Sequence, residues 1–139
     1  MSEAEAENFW QRLEKFESDY PEGFNATQRN NVHFIFCFFD EIAYNEIILN
    51  AVEDLIGPNI LLSGSVLFIK EAHSSSFVSW HQDATNSGFS CHDFITLWLA
   101  LTASNVESGC MKFMPGSHSE QALEHQDSFV EDNILTRGQ

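Results

Sequence analysis

The chain has 139 residues, of which 43% are hydrophobic, so we expect a single modest domain with a packed core. Its 21 acidic residues outnumber the 6 basic ones, and the net charge of −15 argues against nucleic acid or an anionic membrane as a partner. No apolar run approaches the roughly 18 residues of a spanning helix, and the acidic start lacks the order of a signal peptide. Three isolated cysteines fit reduced thiols, so we expect a cytoplasmic protein: Cys37, Cys91 and Cys110.

Helices are predicted in the first part of the chain. Residues 4–18 repeat large apolar side chains at helical spacing, with charged residues between them. The short apolar run 33–39 is expected to be a buried helical turn. Residues 45–56 form a clearer helix with one apolar stripe, and Asn45 is placed to cap its start. A glycine-proline pair then stops it.

Beyond residue 57 the apolar pattern changes from helical spacing to alternation, which is typical of strands. The predicted strands are 59–70, 77–83, 94–102 and 110–116. Helices followed by antiparallel strands predict an α+β protein with a sandwich or jelly roll. We therefore expect one domain with a mainly helical part (1–57), a strand part (58–116) and a polar, linker-like tail (117–139).

The triplet His-Gln-Asp occurs twice, at residues 81–83 and 125–127. On a strand, His81 and Asp83 would share one face about 7 Å apart, where both can reach one metal ion. A simple His–Asp hydrogen bond at a strand end is the alternative. A histidine and a carboxylate suit non-haem iron(II), which takes a second histidine as third ligand. The second triplet lies in a polar run and is expected to be solvated loop.

Three segments together resemble the phytanoyl-CoA dioxygenase family: LIGPNILLSGSVLFIKE, FVSWHQD and ITLWLALTASNVESGCMKFMPGSH. The resemblance covers about residues 45–139 and, weakly, the first helix. It implies a double-stranded β-helix (a cupin-like jelly roll), here incomplete. It also implies an Fe(II)-dependent oxygenase with 2-oxoglutarate as cosubstrate and O2 as oxidant, hydroxylating a small organic substrate that the motifs do not specify.

The resemblance also implies residue roles. His81 and Asp83 match the first two iron ligands. Trp98 matches an aromatic residue that lines the 2-oxoglutarate pocket, and a core tryptophan is the alternative. Gln82 and Lys70 lie near cofactor-binding positions of the pocket, although Lys70 also fits an exposed lysine at a strand end.

Two further residues of the family pattern are missing, namely a distal histidine as third ligand and a later arginine that binds 2-oxoglutarate. His118 is expected to be a turn histidine. His125 and Arg137 have a tempting spacing, but their segment, LEHQDSFVEDNILTRG, lacks the alternation and the length for two strands and a turn. They fall in the linker of the family alignment, and we do not assign them.

The missing residues predict a partial dioxygenase domain that stops about two-thirds of the way through. A fragment is the favoured explanation. A half-domain completed by another chain, through an exposed sheet edge in a homo-oligomer, and a decayed relative are the others. The alternative function is a non-catalytic metal-binding or interaction module. For this chain alone we expect weak iron binding and no turnover.

Overall fold

The computed structural model describes residues 1–22, 29–89, 93–135 and 137–138. The chain divides into two compact units, each built from two stretches. The first unit comprises residues 1–69 and 97–104, and the second comprises residues 70–96 and 105–139. None of the helices formed by the described residues is long and apolar enough to cross a membrane.

Helix α1 spans Glu3–Asp19, which confirms the first predicted helix. Ser2 caps it: the Ser2 hydroxyl accepts the Glu5 N–H at 3.3 Å, and the Ser2 N–H donates to Glu5 Oε2 at 2.6 Å. This reciprocal pair is a capping box, and it satisfies two amide groups that the helix start would leave unpaired. The hydrogen bond from the Ser2 amide lowers the pKa of the Glu5 carboxyl below its ordinary value.

The next two predicted elements are also helical. The run 33–39 forms a 3₁₀ turn at Val32–Phe34 and the start of helix α2, which spans Cys37–Ala43. The prediction that this run is buried is wrong for most of it, since Phe34 and Ile35 are exposed and only Phe39 joins the core. Helix α3 spans Glu46–Ile56, and the Asn45 side chain accepts its first free amides, as predicted. Gly57 ends α3 with a φ of 83°, a conformation that favours glycine.

The core of the first unit lies between α1, α2 and the segment that follows α3. Its buried members are Leu13, Val32, Phe39 and Leu67. The Leu67 N–H donates to the Arg29 carbonyl at 2.8 Å, which fixes Leu67 against this cluster. Burying a side chain of this kind stabilises a fold by roughly 1.5–3 kcal/mol.

A bidentate ion pair joins α1 to α2 at the surface of the first unit. Arg12 Nη1 and Nη2 donate to the two carboxylate oxygens of Glu41 at 2.6 and 2.7 Å. These hydrogen bonds from Arg12 lower the pKa of the Glu41 carboxyl. The planar guanidinium matches the carboxylate geometry, so the pair adds orientation as well as charge attraction.

The apolar side chains of helix α3 are more exposed than the apolar stripe predicts. Ile47 and Leu55 are 62% and 69% exposed, and no residue of α3 is buried. Helical spacing places apolar side chains on one face, but burial requires a second surface that covers this face. The stripe is therefore present as predicted, and within the described residues it is largely uncovered.

The second unit contains short elements. Helix α4 spans Ala84–Ser87, a 3₁₀ turn spans Ser117–Ser119, and strand β1 (Gln126–Asp127) pairs antiparallel with strand β2 (Arg137–Gly138). This ribbon corrects our expectation that the tail is too short and irregular for two strands and a turn. A ladder of two residues per strand needs only backbone N–H and C=O groups, so it leaves no apolar alternation in the sequence.

The segments predicted as strands carry little backbone pairing among the described residues. Isolated bridges join Asn30 to Val66 and Phe77 to Asn133. The jelly roll therefore stays a prediction from the family resemblance. Cys37 and Cys110 are free thiols, as expected, and Cys91 lies outside the described residues.

Candidate metal centre

The first triplet brings an imidazole and a carboxylate together. His81 Nε2 lies 3.0 Å from Asp83 Oδ1, and the two side chains are 26% and 48% exposed. On a regular strand these residues would lie about 7 Å apart along the chain. Asp83 instead has helical backbone angles (φ −56°, ψ −38°) and begins the single turn of α4, whose end at Gly88 has a φ of 69°. The turn at Asp83 therefore removes the strand geometry and lets the carboxylate approach the histidine.

The orientation of the His81 ring follows from its other nitrogen. His81 Nδ1 lies 2.9 Å from the Ser79 carbonyl oxygen. Because a carbonyl only accepts, Nδ1 carries the proton and donates it. His81 Nε2 then faces the Asp83 carboxylate either with a second proton or with a lone pair, and two lone pairs repel each other. The geometry thus calls for a proton or a metal cation between these two atoms.

The separation of the pair suits either a direct hydrogen bond or two neighbouring ligands of one metal ion. Imidazole nitrogen and carboxylate oxygen lie about 2.1 Å from a bound divalent metal, so at a right angle the two donors stand about 3.0 Å apart. The observed separation is 3.0 Å. Among the described residues, no three histidine, cysteine or carboxylate side chains come together where they could hold one metal ion. Within the described residues, the candidate site therefore consists of two groups, the His81 imidazole and the Asp83 carboxylate.

The Gln82 side chain is bonded to a later segment of the chain. Its Oε1 accepts the Leu123 N–H at 2.8 Å. Gln82 also lines an open cleft of about 400 Å³ within the second unit. The other lining residues are Met114, Pro115, Gly116, Ser117, Glu120, Gln121 and Leu123. Its assignment to cosubstrate binding stays a prediction.

The second triplet contacts the first. His125 Nε2 lies 2.9 Å from the backbone nitrogen of Gln82, whose N–H it accepts. His125 is half-buried, whereas the polar sequence around it predicts a solvated loop. Sequence reasoning missed this contact because a histidine that accepts a backbone amide 43 positions away leaves no pattern of residue types. Arg137 contributes its backbone to β2, and its side chain lies outside the description.

The remaining predicted residues lie in different units. Trp98, in the first unit, is 45% exposed, and its ring lies 5.7 Å from the ring of Phe68 at 55°. Lys70, in the second unit, is exposed, and its ammonium group lies against Gly109. Their roles in a 2-oxoglutarate pocket stay predictions. His118 lies exposed on the 3₁₀ turn, which confirms it as a turn histidine.

Comparison with known proteins supplies the family. The sequence model of the phytanoyl-CoA dioxygenase family matches residues 2–137. A phytanoyl-CoA dioxygenase domain-containing protein 1 homolog from Dictyostelium discoideum is 32% identical over 82 residues, which cover 59% of this chain and 29% of that protein. A homolog of the same name from Caenorhabditis elegans is 27% identical over 92 residues, covering 66% of this chain and 32% of that protein.

The chain thus spans about a third or less of the length of these two relatives. No solved structure matches it. The family match nevertheless extends over almost the whole sequence and includes both triplets. The chain therefore belongs to the phytanoyl-CoA dioxygenase family, whose members are generally iron(II)- and 2-oxoglutarate-dependent dioxygenases.

Proposed function

We propose that the chain contributes the first two iron ligands, His81 and Asp83, of an iron(II)- and 2-oxoglutarate-dependent oxygenase that hydroxylates a small organic molecule. The observation that carries this proposal is the 3.0 Å approach of His81 Nε2 to Asp83 Oδ1. Family membership supports it independently. When bound, iron(II) and 2-oxoglutarate supply the oxidising chemistry that uses O2 for hydroxylation.

The roles of the two ligands follow from their contacts. His81 offers Nε2 to the metal, while its Nδ1–H donates to the Ser79 carbonyl. A hydrogen bond at the second ring nitrogen fixes the tautomer and makes the coordinating nitrogen a better donor. Asp83 supplies a negative charge that a divalent cation needs, and its side chain makes no capping bond to α4 that would compete.

The cosubstrate would be held by residues near this pair in the family pattern. Lys70 supplies an ammonium group that attracts a carboxylate of 2-oxoglutarate. Gln82 supplies polar atoms beside the cleft that it lines. Both assignments are part of the proposal.

The test is an anaerobic iron(II) titration of the purified chain. We expect weak binding by the wild type, weakened at least tenfold in His81→Ala and in Asp83→Asn. Asp127→Asn is the matched control, because it changes the aspartate of the second triplet, and we expect it to bind like the wild type. Iron binding that is unchanged in the first two variants would overturn the proposal.

Binding of 2-oxoglutarate is tested in the same titration. Addition of 2-oxoglutarate to the iron-loaded wild type is expected to produce a weak visible charge-transfer band, which Asp83→Asn lacks. Iron binding without this band would count against cosubstrate binding by this chain and favour the alternative function, a metal-binding module without catalysis. Succinate release by the chain alone would contradict our expectation of no turnover.

A further inference from the structure

We propose that His125 is a positioning residue for the His81–Asp83 pair, which it holds through the backbone amide of Gln82. This inference rests on the proposed function, because it assigns a task to the second triplet within the same site. The carrying observation is the 2.9 Å hydrogen bond that His125 Nε2 accepts from the N–H of Gln82. Gln82 is the residue between the two ligands, so the bond acts on the backbone that carries both of them.

The protonation of His125 follows from its two partners. Its Nδ1 lies 2.9 Å from the Leu123 carbonyl oxygen, which only accepts, so Nδ1 carries the proton. Its Nε2 faces the Gln82 N–H, which only donates, so Nε2 offers a lone pair. Both ring nitrogens are thus satisfied in one neutral tautomer. Such an imidazole acts as a fixed bridge between two backbone groups.

A second hydrogen bond joins the same two segments, with the donor on the other one. The Leu123 N–H donates to Gln82 Oε1 at 2.8 Å, so Gln82 both receives from and donates to the segment 123–125. Thr85 Oγ1 also lies 3.4 Å from His125 Nδ1. His125 therefore contacts residues on both sides of Asp83. These contacts fix the short stretch 82–85 in which the backbone turns and the carboxylate approaches His81.

The expected consequence concerns cation affinity. Two donors hold a metal well only if the backbone keeps them at the required separation before the metal arrives. Residues that orient metal ligands without contacting the metal typically contribute a factor of about 10–100 in metal affinity. Without the His125 bridge, binding must first order the stretch 82–85, and the entropy of ordering it reduces the affinity.

The experiment compares two substitutions of His125 that differ in whether the new side chain can accept a hydrogen bond from the Gln82 N–H. His125→Leu removes the acceptor at the Nε2 position. His125→Gln places an amide oxygen that can still accept the Gln82 N–H. We expect iron(II) affinity to fall about tenfold or more in His125→Leu and to return to within about threefold of wild type in His125→Gln. His118→Leu, at an exposed turn histidine of the same unit, is the control and is expected to leave affinity unchanged.

Amide hydrogen exchange at Gln82, measured without metal, separates this inference from the proposed function. We expect faster exchange in His125→Leu and wild-type protection in His125→Gln. Unchanged exchange in His125→Leu would overturn the positioning role, whatever the iron result. So would equal iron affinity in all three proteins. Failure of the wild type to bind iron, with the exchange pattern as expected, would overturn the proposed function while the His125–Gln82 link stands.

Discussion

The Asn133 side chain makes two hydrogen bonds to Ser79. Asn133 Oδ1 accepts the Ser79 N–H at 3.2 Å, and Asn133 Nδ2 donates to the Ser79 hydroxyl at 3.2 Å. Ser79 in turn accepts the Nδ1–H of His81 through its carbonyl. A single asparagine, 54 positions along the chain, therefore fixes the residue that orients His81, the proposed first metal ligand.

Asn133→Ala is expected to loosen this segment. Loss of these two hydrogen bonds, and of the one that Asn133 Oδ1 accepts from the Leu135 N–H at 3.2 Å, should lower the free energy of unfolding by about 1–3 kcal/mol and speed amide exchange at Ser79. Urea denaturation and exchange measured by NMR would check the two effects. Asn59→Ala, at an exposed asparagine of the first unit, serves as the control and should change neither. Wild-type exchange at Ser79 in Asn133→Ala would contradict the prediction.

Leu13→Ala tests the core of the first unit. Leu13 is 1% exposed at the centre of the buried cluster, so truncation leaves a cavity and should cost about 2–5 kcal/mol of unfolding free energy. Leu61→Ala makes the same chemical change at a side chain that is 86% exposed and should stay within about 0.5 kcal/mol of wild type. Equal effects of the two substitutions in chemical denaturation would show that the described core does not stabilise the chain.

Asn45→Ala tests the start of α3. The Asn45 side chain accepts the amides of Ile47 and Ile48 at 3.1 and 3.3 Å, and its loss should cost about 1 kcal/mol. Asn50→Ala, in the interior of the same helix, should be neutral or slightly stabilising, since alanine is the better helix former. In urea unfolding, Asn45→Ala is therefore expected to destabilise the chain and Asn50→Ala is not, and an equal loss of stability in both variants would argue against capping.

Glu41→Gln tests the ion pair with Arg12 and its dependence on pH. The pair is partly exposed, so the substitution should cost only about 0.2–1 kcal/mol at neutral pH. The pKa of Glu41 is lowered in the folded chain, so its contribution is present above the unfolded pKa of about 4.3 and is lost as pH falls through the lowered value.

Unfolding free energies of wild type and Glu41→Gln, measured from pH 7 downward, should therefore converge at acidic pH. Glu14→Gln, at an exposed glutamate of α1, should track the wild type throughout. A difference between wild type and Glu41→Gln that grows on acidification would refute the assigned sign.

Local signals made the helices predictable. Asn45 and the glycine-proline pair bound α3 at the predicted residues, and the Ser2–Glu5 spacing shows that the cap of α1 is also readable from sequence. The exposure of the α3 stripe could not be read in the same way. Periodicity reports which side chains share a face, whereas burial depends on what packs there.

The candidate site was predictable in its residues but not in its geometry. Strand alternation predicted that His81 and Asp83 share a face, but the chain forms no regular strand here, and a turn at Asp83 brings their side chains to 3.0 Å. The His125–Gln82 bond could not be anticipated, since its donor is a backbone amide that any residue except proline could supply. Long-range contacts to the backbone depend on the folded path and not on side-chain patterns.

The division of each unit between two stretches of chain has a consequence for how the protein can be dissected. Leu101, from the stretch 97–104, packs against the cluster that includes Leu13. A fragment that ends at residue 69 would lack Leu101. A chimaera that takes residues 70–139 would contain Leu101 without the cluster against which it packs. The smallest contiguous piece that retains the complete first unit is residues 1–104, but a cut there separates residues 70–96 from the rest of the second unit, so no single cut leaves both units whole.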